Sequence, residues 1–523
     1  MAAPRPGGVF DTVIVGNGPS ALILSYILHG NIPYYARPHH DAILRSKLDR
    51  RPNLLHLTPD LYAHFLASLR YSTQALPINT LLDTLIRPNA DTEVDPESCV
   101  DWRREPNKAV SHLCLGDAAV SGGQWAENPV SASSDIGTLS YAEMLSLPGY
   151  SFADHWQAVH DEPLPQFLRP SRTEVQGYYK AYPRAAGIAD SILCGTQVRD
   201  ISRTADGGFL IGSHGIRCKH LVLASGIFSV NIPPPLPLRQ LAEIDNVEKP
   251  LLVVGSGFSA ADVIISAPPS RKIIHMFNWS PDTHASPLRG CHHQAYPEYA
   301  TIYRQMKLAS MPSKSKVTTV TSPPMRKKNN PFFSHRDWAS VYEGFANAEI
   351  LDVKLEPGRG AKITIKLEDG EVVEREAGGV QYVIGRRGSL GYLDEKLRDE
   401  VIGPVEDGEA NPTLISGRTL RDKAEIDLEV APDVFIIGSL TGDSLVRHAF
   451  GGCAYAAGRI VEDNLADGHG ELNGGAKSPR HARVVSNPTP PMSPGRSPKI
   501  RPNGVSHQDL HLDRRKLSMA EKN

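Results

Sequence analysis

Two stretches of the chain share one pattern of apolar and polar positions. Asp11 to Val15 is a short β-branched and apolar run that stops at Gly16, and Pro19-Ser20-Ala21-Leu22-Ile23-Leu24 then opens a helical periodicity. Leu251-Leu252-Val253-Val254 is a second such run. It is broken by Gly255-Ser256-Gly257 and followed by the helical Phe258-Ser259-Ala260-Ala261-Asp262-Val263-Ile264-Ile265. Each unit predicts a strand, a glycine turn and a helix. They lie about 240 residues apart, so they repeat a local device and not a solenoid period.

Elsewhere the pattern predicts helices around Leu61 to Leu69, Thr80 to Ile86 and Thr173 to Ala181. It predicts strands at Gly208 to Ile211, His220 to Ala224, Ile273 to Phe277, Ala361 to Lys366, Val372 to Arg375 and Tyr382 to Ile384. Pro163 to Pro170 is proline-rich, and Pro312 to Pro331 is a polar loop. A last strand, Val434 to Ile437, leads through Gly438 and Gly442 into a small-residue helix ending near Ala466. From Asp467 onward Gly, Pro, Ser and basic residues replace the periodicity, which predicts a disordered tail. The tail carries Ser478-Pro479, Ser493-Pro494, Ser497-Pro498 and Arg514-Arg515-Lys516-Leu517-Ser518, matches to proline-directed and basophilic kinase sites.

A length of 523 residues predicts two to four domains, and 40% hydrophobic residues with a net charge of −2 predict an ordinary globular protein with a sizeable core. That balance points away from nucleic acid and from an anionic membrane surface as partners. No run reaches the roughly 20 apolar residues of a membrane helix, and Met1 to Gly8 does not read as a signal peptide. The expected place is intracellular, in the cytoplasm. Cys99, Cys114, Cys194, Cys218, Cys291 and Cys453 lie far apart with no CxxC spacing, which predicts reduced, mostly buried thiols. His284, His292 and His293 lack an accompanying carboxylate or Cys spacing and read as surface residues, so no metal is expected.

The chemistry lies in the glycines. In Gly16-Asn17-Gly18-Pro19-Ser20-Ala21, Gly16 permits the tight turn, Gly18 lets a diphosphate approach the backbone, and Ala21 is small enough for helix to pack on sheet. The phosphates would meet the free N–H groups and positive end of the helix. Gly255-Ser256-Gly257-Phe258-Ser259-Ala260 repeats the fingerprint. One bound dinucleotide needs one such turn. A flavoprotein reduced by a nicotinamide cofactor needs two, which predicts FAD at the first and NADPH, with NADH as the alternative, at the second.

Two expected pieces are missing. An acid should follow the first glycines by about 20 residues to hold the ribose hydroxyls, yet the chain there reads Tyr34-Tyr35-Ala36-Arg37-Pro38-His39, with Asp41 the nearest acid. A basic residue for a 2′-phosphate should follow the second strand, where Phe277-Asn278-Trp279-Ser280 stands, with Arg271 before and Arg289 well after. Arg386 and Arg387 are further candidates for phosphate contact.

His220-Leu221-Val222-Leu223-Ala224-Ser225-Gly226 reads as the strand that returns to the first sheet, with Gly226 beside the cofactor, and Tyr382-Val383-Ile384-Gly385 as its counterpart in the second. Asp443, after Gly442, and the helix start Gly451-Gly452 are placed to meet a ribityl chain or the flavin's pyrimidine edge, Asp443 alternatively as an N-cap.

From about Asp11 to Asp463 the sequence resembles the oxidative stress-induced growth inhibitor family, relatives of flavin-containing and Baeyer-Villiger monooxygenases. The resemblance rests on the two fingerprints and on Leu115-Gly116 to Gly122-Gly123-Gln124-Trp125, Ser146-Leu147-Pro148-Gly149 and Tyr178-Tyr179. It rests also on Tyr296-Pro297-Glu298-Tyr299, and on Gly442-Asp443 through Val446-Arg447 to Gly451-Gly452. It implies an FAD-type monooxygenase fold reduced by NADPH, and a group linked to growth control, oxidative stress and cytokinesis. Gly122-Gly123-Gln124-Trp125 is similar to the Gly-Gly-x-Trp of flavin monooxygenases, whose tryptophan lies beside the flavin.

The expected fold is therefore α/β, with two nested Rossmann-like dinucleotide-binding domains. Residues 1–240 begin the FAD domain with helical insertions, 241–395 form the NAD(P)H domain, 396–466 return to the FAD domain, and 467–523 are the tail. The expected activity is oxygenation of a small nucleophilic or carbonyl substrate by reduced flavin and molecular oxygen, the flavin doing the chemistry and no side chain named as catalytic. An amine N-hydroxylase or NAD(P)H oxidase would use the same folds. A flavin-binding regulatory protein with little turnover, meeting protein partners through its tail, is the reading of another class.

Overall fold

The apolar run after Gly8 forms strand β1 (Val9–Val15), whose last four residues are buried, and the helix Pro19–Leu28 follows with every residue from Ala21 onward buried. The computed structural model describes residues 8–58, 61, 64–65, 75–88, 97–311, 336–356, 360–404 and 413–472, the last six by backbone only. Before the second glycine turn come β2 (Asn31–Tyr35), β3 (Val100–Arg104), β4 (His112–Leu115), β5 (Ile192–Leu193), β6 (Ile201–Arg203), β7 (Phe209–Ile211), β8 (Ile216–Leu223) and β9 (Val230–Asn231). Next are β10 (Leu251–Val254), β11 (Ile273–Phe277), β12 (Tyr342–Ala346), β13 (Glu349–Glu356), β14 (Gly360–Lys366), β15 (Val372–Ala377) and β16 (Gly379–Tyr382). The last are β17 (Arg386–Ser389), β18 (Leu414–Ile415), β19 (Glu429–Ala431) and β20 (Val434–Ile436).

The first sheet has the order β19-β20-β8-β1-β4-β5, with β7 and β6 added antiparallel on β8. β1 is parallel to β4 and to β8, Val13 standing between Leu113 and Leu221. Alternation along these strands sends Ile14, Cys114 and Val222 into one apolar layer and Val13, Leu113 and Leu221 into the other. A parallel sheet buried on both faces is what such continuous apolar runs encode.

The second sheet, β12-β11-β10-β16, is parallel throughout. The helices Phe258–Ser266 and Pro297–Ala309 cover one face, and the antiparallel β13-β14-β15 covers the other. The chain leaves the first sheet after β8, builds the second, and returns to β19 and β20, so one fold is nested in the other. The two crossing segments meet: β9 and β17 pair antiparallel in a small sheet with β18, Arg386 opposite Asn231. The architecture is α/β with two nested Rossmann-like units.

Several details depart from the sequence reading. β4, only four residues long, was not foreseen although it lies next to β1 at the centre of the sheet. β2 and β3 form an antiparallel pair apart from that sheet. Tyr382 ends its strand where it was expected to begin one. The last helix runs Phe450–Leu472, six residues past its expected end, because glycine at 468 and 470 weakens a helix without compelling a stop. The predicted loop Pro312 to Pro331, most of the helix Leu61 to Leu69 and the tail from 473 onward lie outside the described residues. All six cysteines are free thiols, four of them buried, and burial pushes Cys114 and Cys218 up to about 12, which keeps them unreactive.

Candidate functional site

A cavity of about 780 Å³ opens at the carboxyl ends of β1, β4 and β8, inside the usual range for small-molecule sites. Its floor is the first glycine turn. Gly16 has φ +128°, and a Cβ there would stand 2.5 Å from the carbonyl oxygen of Ala224 at the end of β8, so only glycine lets the two strands close up. Gly18 is the N-cap of the helix Pro19–Leu28 and offers no side-chain cap, so the helix presents bare N–H groups where Gly18, Pro19 and Ser20 line the cavity. Ala21 faces the core between helix and sheet instead.

The Gly-Gly-x-Trp segment folds onto this turn. Gly122 donates its N–H to Asn17 O at 2.8 Å, and a Cβ on Gly123 would come within 3.1 Å of Gly18 Cα, glycine resting on glycine. Gly123, Gln124 and Trp125 line the cavity, whereas Gly122 sits behind it against Tyr179. The Trp125 indole leans on the Tyr179 ring at 6.3 Å. Tyr178, Tyr179 and Tyr182 are buried and donate to the carbonyls of Tyr150, Leu145 and Pro148, and the Leu147 N–H donates back to the Tyr178 hydroxyl, so the Ser146-Leu147-Pro148-Gly149 loop is their scaffold.

The strand that brings an acid to the cavity is β4. The buried Asn17 amide donates to Ala118 O at 3.0 Å and Val120 O at 3.3 Å, fixing the turn after β4. A side chain at Gly116 would lie 2.2 Å from Asn17 Cγ, so the residue that ends β4's path must be glycine and the next one, exposed Asp117, carries the carboxylate. Asp117 lines the cavity with Thr196 and Arg199, whose loop is pinned by Thr196 N–H to Gly116 O at 2.8 Å. Asp117 escaped the sequence reading because 80 residues of insertion, 31–110, separate the first helix from β4.

The other expected residues are placed as follows. Gly226 lines the cavity with Ser225, whose hydroxyl bonds the hydroxyl of half-buried Tyr392 at 2.8 Å. Asp443 lines it too, but its carboxylate is engaged: Oδ2 accepts from Leu76 N–H at 2.8 Å and Asn79 Nδ2 at 2.6 Å, and Oδ1 accepts from Arg421 at 2.8 Å. Gly451 and Gly452 pack against the helix Pro77–Ile86 away from the cavity wall: a Cβ on Gly451 would meet Ile78 O at 2.2 Å, and Gly452 N–H donates to Asn79 Oδ1 at 2.8 Å.

The second turn has the same build. Gly255, at φ +152°, lies under Val383 O, and Gly257 is the uncapped N-cap of the helix that begins with Phe258, Ser259 and the buried Ala260. Ser256 ties it down, its hydroxyl accepting from Asn278 N–H at 3.1 Å and its carbonyl from the Ser286 hydroxyl at 2.6 Å. Arg271 is at the opposite end of β11, buried and paired with Asp245 at 2.8 Å. Arg289 donates to Pro281 O at 2.8 Å, and Arg387 to Arg386 O at 3.1 Å.

Two strand, turn and helix units with bare helix mouths, nested in one chain, define the class: an α/β protein with two Rossmann-like units. In sequence the chain is similar to the oxidative stress-induced growth inhibitors. It is 26% identical to oxidative stress-induced growth inhibitor 1 of Mus musculus over 86% of this chain and 95% of that one. It is 25% identical to oxidative stress-induced growth inhibitor 2 of Homo sapiens over 85% and 91%. A Caenorhabditis elegans homologue is 24% identical over 86% and 94%. Among solved structures, a flavin-containing monooxygenase from Stenotrophomonas maltophilia shares 15% identity over 88% of this chain and 99% of that one, with a TM-score of 0.45. An ornithine hydroxylase from Pseudomonas aeruginosa shares 13% over 87% and 99%, with a TM-score of 0.45. No protein-family profile matches the chain.

Proposed function

We propose that this chain is an FAD-dependent oxidoreductase of the monooxygenase type, reduced by a nicotinamide dinucleotide bound at the second glycine turn. One observation carries the reading: the uncapped helix mouth at Gly18 opens into a cavity of about 780 Å³, with Gly123 packed on Gly18 so that no side chain fills the cradle. When bound, the flavin supplies hydride acceptance and oxygen activation.

The chain's own residues do the rest. Backbone N–H groups at the start of the helix Pro19–Leu28 would take the diphosphate. Asp117 would accept from the ribose hydroxyls, the role sought in vain near Tyr35. Gly123, Gln124 and Trp125 would wall the flavin, and the buried tyrosines behind Trp125 hold that wall away from water. Gly226 and Ser225 would close the opposite side.

The decisive experiment is the absorbance spectrum of the full chain before and after anaerobic NADPH or NADH. A flavin band that bleaches on addition supports the reading. A colourless protein that takes up no added FAD overturns it, and a flavin band that neither nucleotide bleaches turns the assignment to a flavin-binding regulatory protein. Peroxide without an oxygenated product would mark an NAD(P)H oxidase.

Asp117→Ala tests the ribose contact. A hydrogen bond to a charged group contributes about 1.5–3 kcal/mol, so FAD affinity should fall roughly ten- to a hundredfold, read by flavin fluorescence released on dialysis. Because Asp117 is exposed, the melting temperature of the flavin-free protein should not move. Unchanged FAD affinity would remove Asp117 from the site.

A further inference from the structure

Two half-buried arginines stand where the cavity wall approaches the second helix, and neither has a carboxylate within 4.0 Å among the described residues. Arg172 is the first residue of the helix Arg172–Ala185, and its Nη2 reaches only the Gln124 carbonyl, at 3.4 Å. Arg386 begins β17, its Nη1 reaches Asn128 Oδ1 at 3.3 Å, and its guanidinium lies 5.0 Å from the Phe228 ring centre. Gln124, Asn128 and Phe228 all line the cavity. Facing both arginines from the second unit is Asp262, on the helix Phe258–Ser266, but its carboxylate accepts the Tyr299 hydroxyl at 2.8 Å and pairs with neither guanidinium.

Local structure does not explain these two residues. A guanidinium carries five N–H donors, and one long bond apiece leaves most of them without a partner in the described protein. A cation at the first position of a helix opposes the helix dipole, so Arg172 weakens its own helix. That helix is already capped by the Ser171 and Glu174 box and needs no help from position 172. Taking a cation out of water without a counter-charge is costly. Burial pulls both guanidiniums below their ordinary range, the Arg386 charge lowers Arg172 further, and Asp262 offsets this only in part at each. A bound anion would relieve all of these costs together.

We infer that Arg172 and Arg386 form an oxyanion clamp between the cavity and the second glycine turn, gripping a two-oxygen anionic group with forked donors from both sides. Forked guanidiniums recognise carboxylate and phosphate oxygens alike. The group is therefore either the phosphate of a nucleotide reaching across from the second turn or the carboxylate of an acidic substrate. The clamp rests on the proposed function only in naming the nucleotide as one source.

The test uses the full chain as purified, with Arg172→Gln, Arg386→Gln and Arg386→Lys, titrated calorimetrically with inorganic pyrophosphate and, separately, with benzoate. Each glutamine variant should weaken binding of one probe by about tenfold or more, and the lysine variant by less, since it keeps the charge and loses the fork. Loss confined to pyrophosphate assigns the clamp to a nucleotide, and loss confined to benzoate assigns it to an acid substrate. Flavin absorbance and circular dichroism of each variant should match the parent. A parent that binds neither probe at millimolar concentration, or variants that bind both within twofold of the parent, would overturn the clamp. Flavin content is read in the same samples, so a failure of the flavin assignment is distinguished from a failure of the clamp.

Discussion

Asp443→Ala is expected to destabilise the protein by about 3 kcal/mol and to strip it of flavin, the low end of what breaking a buried ion pair costs. The carboxylate is 6% exposed and joins three parts of the chain. Its Oδ2 takes the N–H of Leu76, at the N-cap of the helix Pro77–Ile86, and the Asn79 amide, while Oδ1 takes Arg421 from the helix Arg421–Ile426. Removing it leaves a helix-end N–H and a buried amide without an acceptor. Arg421 keeps its bond to Glu425 at 2.9 Å, which is why the low end applies. Asp443→Asn retains one oxygen and should cost about half as much. Urea midpoints of the flavin-free proteins separate this from cofactor loss, and a change below about 0.5 kcal/mol for the alanine variant would show that the network is incidental.

The second large effect is a loss of stability in alkali centred on His220. The imidazole is fully buried in β8, between Asp11 of β1 at 3.0 Å and Asp463 of the last helix at 3.3 Å. Burial works against its charge, but the hydrogen bonds to Asp11 and Asp463 outweigh that and push its pKa from 6.5 up to about 9. The same bond holds Asp463 below the usual carboxylate range. A group whose pKa rises on folding adds stability that is complete below its unfolded value and fades as pH climbs through the folded one. The contribution should therefore be whole below pH 6.5 and gone above about 9, a change of about 3 kcal/mol. Melting curves from pH 6 to 10 should show the parent losing several degrees more than His220→Gln, whose profile should be flat in that window. Parallel profiles would mean that the imidazole is neutral in the folded protein.

The candidate site was legible in sequence wherever chemistry is local. A strand stopping at Gly16, a helix starting at Pro19, and the same grammar at Gly255 and Phe258 needed only neighbouring residues to be read, and both turns stand where the glycines put them. Asp117, the acid proposed for the ribose, was missed because the rule for it counts residues along the chain while the physics counts strands across the sheet. Here the second parallel strand beside β1 is β4, postponed by the pair β2 and β3 with their surrounding helices, so counting 20 residues from the turn lands in an antiparallel appendage. β4 itself, His112-Leu113-Cys114-Leu115, is too short for periodicity to separate it from a buried loop. Gly451 and Gly452, which pack on the helix Pro77–Ile86, could not be placed from sequence for the complementary reason, since a glycine pair at a helix start looks the same whether it admits a phosphate or a neighbouring helix.

From its residues alone this chain determined the number of glycine turns, their positions and the type of layered sheet they demand, because a glycine's missing side chain and a helix's bare N–H groups act within a few residues. Tertiary structure alone decided that Asn17 would occupy the space beside Gly116 and pass the carboxylate on to Asp117. It alone turned Asp443 toward Leu76, Asn79 and Arg421, and brought Arg172 and Arg386 together across more than 200 residues of chain. Charges and close contacts depend on which atoms meet in space, and no spacing along a chain this deeply nested states that.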